Sequence, residues 1–265
     1  MGRSHHTVVG TDPYRPDRAG TREGLLALDF DGVICDALEE CALVTWLGER
    51  PHDRTVPGPG QLERLPGAFT ERFRAVRDYA RLLDHFLVAH LPEADSITSQ
   101  ADFDRLFGSL PRERVERFTT AASEAREWFR AAEPDFWLGL HTLYPGVPEL
   151  LRRTGDVVVV TAKDEPSVRS ILRRNGLEQT VAEVFGECRD KAAALQRACA
   201  RRGVPLDAVT FVDDNLPNVR KVAAVGVRAR WAQWGYQTPE HRSEAARYGI
   251  EGLELGGVEA LLADV

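Results

Sequence analysis

The chain has 265 residues, 43% of them hydrophobic and 28% charged, the balance of a globular protein with a sizeable core in one large or two modest domains. Its net charge of −7 argues against nucleic acid as the main partner, because binding phosphates demands a basic surface. No apolar run approaches the ~20 residues needed to span a bilayer, so no membrane partner is expected either.

Residues 1–22 are polar, with His5 and His6 beside several Arg, Asp and Pro, and they lack the apolar core of a signal peptide. They are read as a poorly ordered N-terminal arm, and the histidine pair as part of a solvated tail. Cys35, Cys41, Cys188 and Cys199 form no C-x-x-C pair, which fits reduced thiols in a cytoplasmic protein. Arginine dominates the cations, and lysine occurs only at Lys163, Lys191 and Lys221, a bias typical of a G+C-rich bacterial genome. Each retained lysine marks a position where a compact ammonium can matter.

The first regular element is an apolar run, Leu25-Leu26-Ala27-Leu28, which reads as a buried parallel strand. It runs into Asp29-Phe30-Asp31-Gly32, where Asp29 and Asp31, two residues apart, start out on one side of the strand end. Open α/β sheets place their ligands at that end, and two like charges this close call for a cation beside them. A plain acidic turn is the competing reading, since Asp and Gly are common turn residues.

A helical pattern follows over 37–47, and residues 50–67 are broken by Pro and Gly. Apolar residues Phe69, Phe73, Val76, Ala80, Leu83 and Leu87 then alternate in steps of four and three, predicting one long helix over 69–91. Arg74, Arg77 and Arg81 make a basic stripe on it, read as a solvated face, and His85 and His90 are read as structural. Helices are expected at 100–110 and 111–132, with Phe118, Trp128 and Phe129 in the core, and a loop-like return from Asp135 to Tyr144. A mostly helical stretch of this length is too long for a simple crossover. Residues 37–143 therefore read as an inserted helical domain.

Beyond Pro145 strands and helices alternate strictly. Strands are expected at 157–160, 181–186, 209–212 and 227–231, with helices between them opened by Pro and closed at Gly. That pattern indicates a parallel sheet with helices on both faces, with 23–36 and 144–265 forming one α/β core. Strand ends then bring Asp29, Asp31, Thr161, Asp213 and Asp214 to one crevice, with Lys191 at a helix start. Carboxylates, a hydroxyl and an ammonium together suit a phosphate and a Mg²⁺ ion.

In these four positions, taken in order, the chain resembles the haloacid dehalogenase (HAD) superfamily of phosphohydrolases: Asp29-Phe30-Asp31-Gly32-Val33, then Thr161, Lys191 and Phe211-Val212-Asp213-Asp214-Asn215. The resemblance covers 24–36 and 144–262, implies a HAD-like Rossmannoid sheet, and makes 37–143 a helical cap of the C1 type. It is similar in this respect to phosphoglycolate phosphatase and beta-phosphoglucomutase. The resemblance implies Asp29 as nucleophile, forming an aspartyl-phosphate, and Asp31 as general acid and base. It implies Mg²⁺ bound by the Asp29 side chain, the Asp31 carbonyl and Asp214, with Asp213 acting directly or through water. It implies Thr161, the Ala162 amide and Lys191 as phosphoryl-binding groups. Lys163 either lines the site or faces solvent.

Asp31 favours phosphoryl transfer over carbon–halogen cleavage, and no lysine lies in the cap to form a Schiff base. The segment 51–67 matches no family pattern. The expected activity is a Mg²⁺-dependent phosphatase for a small phosphorylated metabolite. A mutase or phosphotransferase, and a binding protein without turnover, are the alternatives.

Overall fold

The computed structural model describes residues 24–263. The expected arm at 1–22, with His5 and His6, lies outside them. The apolar run forms strand β1 (Leu25–Leu28), and the chain then turns through Gly32 into β2 (Cys35–Asp36). A helical stretch follows: α1 (Leu38–Glu49), α2 (Pro59–Glu63), α3 (Gly67–Arg77), α4 (Gln100–Gly108), α5 (Arg112–Ala132) and α6 (Pro134–Gly139). The chain re-enters the core through β3 (Thr142–Leu143), then α7 (Val147–Thr154), β4 (Val157–Val160), α8 (Glu165–Arg174) and β5 (Val181–Phe185). It finishes with α9 (Lys191–Arg202), β6 (Val209–Asp213), α10 (Leu216–Ala223), β7 (Arg228–Ala232), α11 (His241–Tyr248) and β8 (Gly252–Leu253). No helix among the described residues is long and apolar enough to cross a membrane.

The main sheet has six strands in the order β5-β4-β1-β6-β7-β8, all parallel. The chain builds outward from β1 on one side and then returns to build β6, β7 and β8 on the other. The end of β1 is therefore the topological switch point, where the two halves part and leave a crevice. Strand periodicity splits the core in two. Leu26, Leu28, Val157 and Val159 face one buried cluster, and Leu25, Ala27, Val158 and Val160 face the other. A third cluster, with Phe69, Phe73, Val76, Phe86, Phe103 and Phe118, holds the helices between β2 and β3 together. Phe118 and Phe129 are buried as expected, and Trp128 packs at a cluster's margin.

Four expectations change. Residues 50–67, expected to be broken by Pro and Gly, contain α2, which Pro59 opens in its first turn. The long helix at 69–91 is two pieces: α3 ends at Arg77, and a 3-10 segment runs Leu83–His90. The break comes where the amides of Tyr79 and Ala80 both close on the Val76 carbonyl. Both pieces bury their apolar side in the same cluster, so the periodicity survives although the helix does not. The return at 135–144 contains α6, preorganised by Pro134 in its first turn, and β3, which pairs antiparallel with β2. Finally, β8 adds a sixth strand of two residues, too short to carry a strand pattern.

Candidate active site

The loop after β1 is wound around one carbonyl. Phe30 accepts from the amides of Val33, Ile34 and Cys35 at 3.3, 2.8 and 2.9 Å, a turn that Gly32 permits with φ of +88°. Asp29 leaves the strand with its amide still bonded to the Val212 carbonyl at 2.9 Å. Its Oδ1 accepts from the Phe30 amide at 2.7 Å, and its Oδ2 lies 2.7 Å from Lys191 Nζ. Lys191 opens α9 behind Asp190, whose side chain caps the helix by accepting from the Ala193 amide.

The same ammonium reaches Asp213 Oδ2 at 2.7 Å. Asp213 also accepts from the Asn215 amide at 2.8 Å and from Asn218 Nδ2 at 3.2 Å. Its carboxylate is thus largely engaged, whereas Asp29 and Asp214 face the cavity. Asp214 accepts from the Tyr236 amide at 2.6 Å, and its carbonyl accepts from Trp231 Nε1 at 3.0 Å. Two glycines pack against it. A Cβ at Gly32 would lie 2.0 Å from Asp214 Oδ2, and one at Gly235 2.5 Å from that same atom.

Thr161 closes β4 and is buried; its hydroxyl oxygen accepts from the Lys163 amide at 3.2 Å, leaving the O–H free to donate. Lys163 does not face solvent. It is buried with its Nζ 3.4 Å from Asp31 Oδ2 and 3.4 Å from Glu40 Oε2. Glu40, on α1, is clamped in turn by Arg126 of α5, at 2.6 Å from Nε and 3.3 Å from Nη2. A chain of four charges thus runs from the helices to Asp31, whose Oδ1 is buried without a partner. A cavity of about 270 Å³ covers this sheet end, lined by Asp29, Asp31, Thr161, Ala162, Lys163, Lys191 and Asp214 among others.

The electrostatics are those of a crowded anionic pocket. Burial first, and then the charge of Asp213, push Asp29 up to about 6 despite the attraction of Lys191. Asp214 is raised well above the usual carboxylate range by burial, Asp213 and Asp29. Burial pushes the Glu40 carboxyl the same way, but Arg126 and Lys163 override it and hold the group well below its ordinary value. Asp29, Asp213 and Asp214 each offer an oxygen within 4.8 Å of the others. Hard oxygen donors whose ionised forms repel one another fit a small divalent cation such as Mg²⁺. The Asp31 side chain lies outside this trio, turned towards Lys163.

The expected site residues Asp29, Asp31, Thr161, Ala162, Lys191, Asp213 and Asp214 therefore lie at one sheet end, and direct contacts join Asp29, Lys191 and Asp213. Glu40, Arg126, Arg77 and Tyr236 also belong to the site and were not anticipated. Arg77 and Arg81 are corrections: expected on a solvated face, both line the cavity, Arg77 at 8% exposed and Arg81 with its Nε buried, while Arg74 is exposed as expected. Helix α1 is buried on nearly all sides, so no amphipathic pattern singles out Glu40.

Comparison with known proteins bears on the fold and the family. A tyrosine-protein kinase, PtkA, of Mycobacterium tuberculosis and of Mycobacterium bovis is 28% identical over 200 residues, covering 69% of this chain and 66% of the relative. The chain thus spans just under two thirds of that relative's length. A predicted phosphoglycolate phosphatase from Haemophilus somnus shares the fold at a TM-score of 0.60 and 17% identity, over 91% of this chain and 99% of that one. A predicted phosphatase from Clostridium acetobutylicum does so at 0.58 and 12%, over 92% and 99%. The haloacid dehalogenase-like hydrolase family matches residues 24–226, so the chain is a member of that family.

Proposed function

We propose that the protein is a Mg²⁺-dependent phosphomonoester hydrolase acting on small phosphorylated metabolites in the bacterial cytoplasm. The observation that carries this reading is the buried Asp29 carboxylate, fixed by the Phe30 amide and Lys191, lining a cavity and flanked by Asp213 and Asp214. Asp29 Oδ attacks phosphorus, the bond to the ester oxygen breaks, and an aspartyl-phosphate forms. Asp31 gives its proton to the departing oxygen, then takes one from the water that cleaves the acyl phosphate and restores Asp29. Lys191, the Thr161 hydroxyl and the Ala162 amide hold the phosphoryl oxygens. Asp29, Asp214 and the Asp31 carbonyl, with Asp213 directly or through water, would hold Mg²⁺, which would supply positive charge where an anion meets an anion. Residues 37–143 act as a cap domain that keeps water from the site during transfer.

The four free cysteines, three of them buried, accord with a reducing compartment. The kinase name carried by the mycobacterial relatives supports a second reading, in which the phosphoryl group passes to a hydroxyl instead of water. The test is phosphate release from a panel of small esters with Mg²⁺, beside EDTA and Asp29→Asn controls. Metal-dependent release lost in the variant is expected. Transfer to an added hydroxyl without release favours the second reading, and neither activity refutes both.

A further inference from the structure

The wall that the end of α3 and the residues after it give the cavity carries two arginines, Arg77 and Arg81, beside Asp78. Arg77 ends α3 and Arg81 lies one turn further along the chain; both line the cavity. Arg77 is nine-tenths buried, with its guanidinium 3.6 Å over the Tyr236 ring and 5.3 Å from the Phe86 ring. Its Nη1 donates to the Ala80 carbonyl at 3.1 Å, while its Nε is buried with no partner. The Nε of Arg81 is likewise buried and unpartnered. Among the described residues no carboxylate oxygen pairs with either guanidinium within 4.0 Å, in contrast to Arg126, which holds Glu40 at 2.6 Å. Asp31 and Asp214 act on Arg77 only through the field across the cavity.

A buried guanidinium without hydrogen-bonded counter-charge is costly, and such groups are kept where something supplies that charge. The planar fork of arginine matches a carboxylate or a phosphate. The phosphoryl group undergoing transfer has its own donors in Lys191 and Thr161 on the sheet side. The arginines come from the helical side, where the rest of the substrate must lie.

We propose that Arg77 and Arg81 bind a second anionic group, a carboxylate or a further phosphate, on the leaving-group side of the substrate. The substrates are then phosphate monoesters that carry another acidic function within reach of the insert. This inference rests on the phosphohydrolase reading and narrows it.

The test compares propyl phosphate, 2-carboxyethyl phosphate and propane-1,3-diyl bisphosphate with the full chain and Mg²⁺. The acid-bearing esters are expected to have kcat/KM at least about tenfold above propyl phosphate, expressed mainly in KM. The better of the two acid-bearing esters identifies the carboxylate or the phosphate as the preferred group. In Arg77→Met and Arg81→Met that ratio falls towards one. Arg77→Lys, which keeps charge but not the fork, restores part of it if the first variant unfolds. A ratio near one in the parent protein, or one unchanged in both Met variants, overturns the proposal and leaves the hydrolase reading standing. If no ester is hydrolysed, the hydrolase reading fails instead. Calorimetric titration of Asp29→Asn with the same three esters then decides the anion preference without turnover: tighter binding of the acid-bearing esters supports it, and equal or absent binding overturns it.

Discussion

Glu40→Gln removes one charge from the buried chain Arg126–Glu40–Lys163–Asp31 while keeping the side chain's shape. Glu40 and Lys163 are each 1% exposed in their side chains, and Arg126 is 11% exposed. After the substitution Lys163 keeps only Asp31, at 3.4 Å, and Arg126 keeps only Asp164, at 3.9 Å. Breaking a buried pair from one side typically costs about 3–5 kcal/mol, because a desolvated charge is left behind. At about 2–4 °C per kcal/mol for a chain of this size class, Tm should fall by about 6–20 °C. The pH dependence follows from the direction of the shift. Glu40 is held well below its ordinary 4.5, so its contribution is complete above that value and is lost only as pH falls through the depressed one. The gap between parent and variant should therefore stay constant from about pH 8 to pH 5 and close only in stronger acid. Thermal unfolding followed by circular dichroism across that range measures it. A fall of less than about 2 °C, or a gap that closes near pH 6, would refute the reasoning. Replacing Glu40 and Arg126 together by leucine should cost less than the two single changes added, since neither charge is then stranded.

Gly235→Ala would put a Cβ 2.3 Å from the Gly32 carbonyl and 2.5 Å from Asp214 Cβ, displacing the carboxylate. A loss of about a hundredfold in kcat/KM is expected, and unchanged kinetics would show the approach to be unimportant. Asp214→Asn removes the group that burial, and then the charges of Asp213 and Asp29, hold well above the usual carboxylate range. In EDTA it should melt a few degrees above the parent protein, and added Mg²⁺ is expected to raise the Tm of the parent but not of the variant. His90 is lowered to about 4, mainly by burial, and its Nε2 donates to the Thr45 carbonyl at 2.8 Å. Its unfolded form takes up a proton below about 6.5, so stability is present above that pH and lost towards 4. His90→Gln should flatten the fall of Tm over that interval, and an identical slope in both proteins counts against the assignment.

The sheet was legible because parallel strands buried on both faces are written as short apolar runs. Val157–Val160 needs no partner to be recognised, and the carboxylates at the ends of β1 and β6 are exposed by the abrupt change from apolar to acidic residues. What the sequence concealed is set by contacts distant in the chain. Arg77 looks like any charged residue on a helix until Tyr236, far along the chain, lies across its guanidinium. Glu40 looks like an ordinary helix-start acid until Arg126 and Lys163 arrive from two other elements. The break after Arg77 was hidden for a different reason. Apolar spacing reports which side is buried, and the two segments on either side of that break bury the same side. β8 was missed because two residues at a sheet edge carry no period.

The small antiparallel pair of β2 and β3 has a consequence for how this architecture can diversify. Asp36 and Thr142 are register partners, so the helical stretch leaves and rejoins the core across the width of one ladder rung. The ladder itself sets no length for what lies between those two residues; the bond to the rest of the core is made by packing, through Leu43, Val44, Phe129 and Trp137, which share a buried cluster with Leu26 and Val159 of the sheet. On the proposed roles, the choice of molecule would be encoded between two points of the gene that meet at one rung. A transplant for laboratory recombination would have its seams marked there, and would have to carry matching residues for the shared cluster with it.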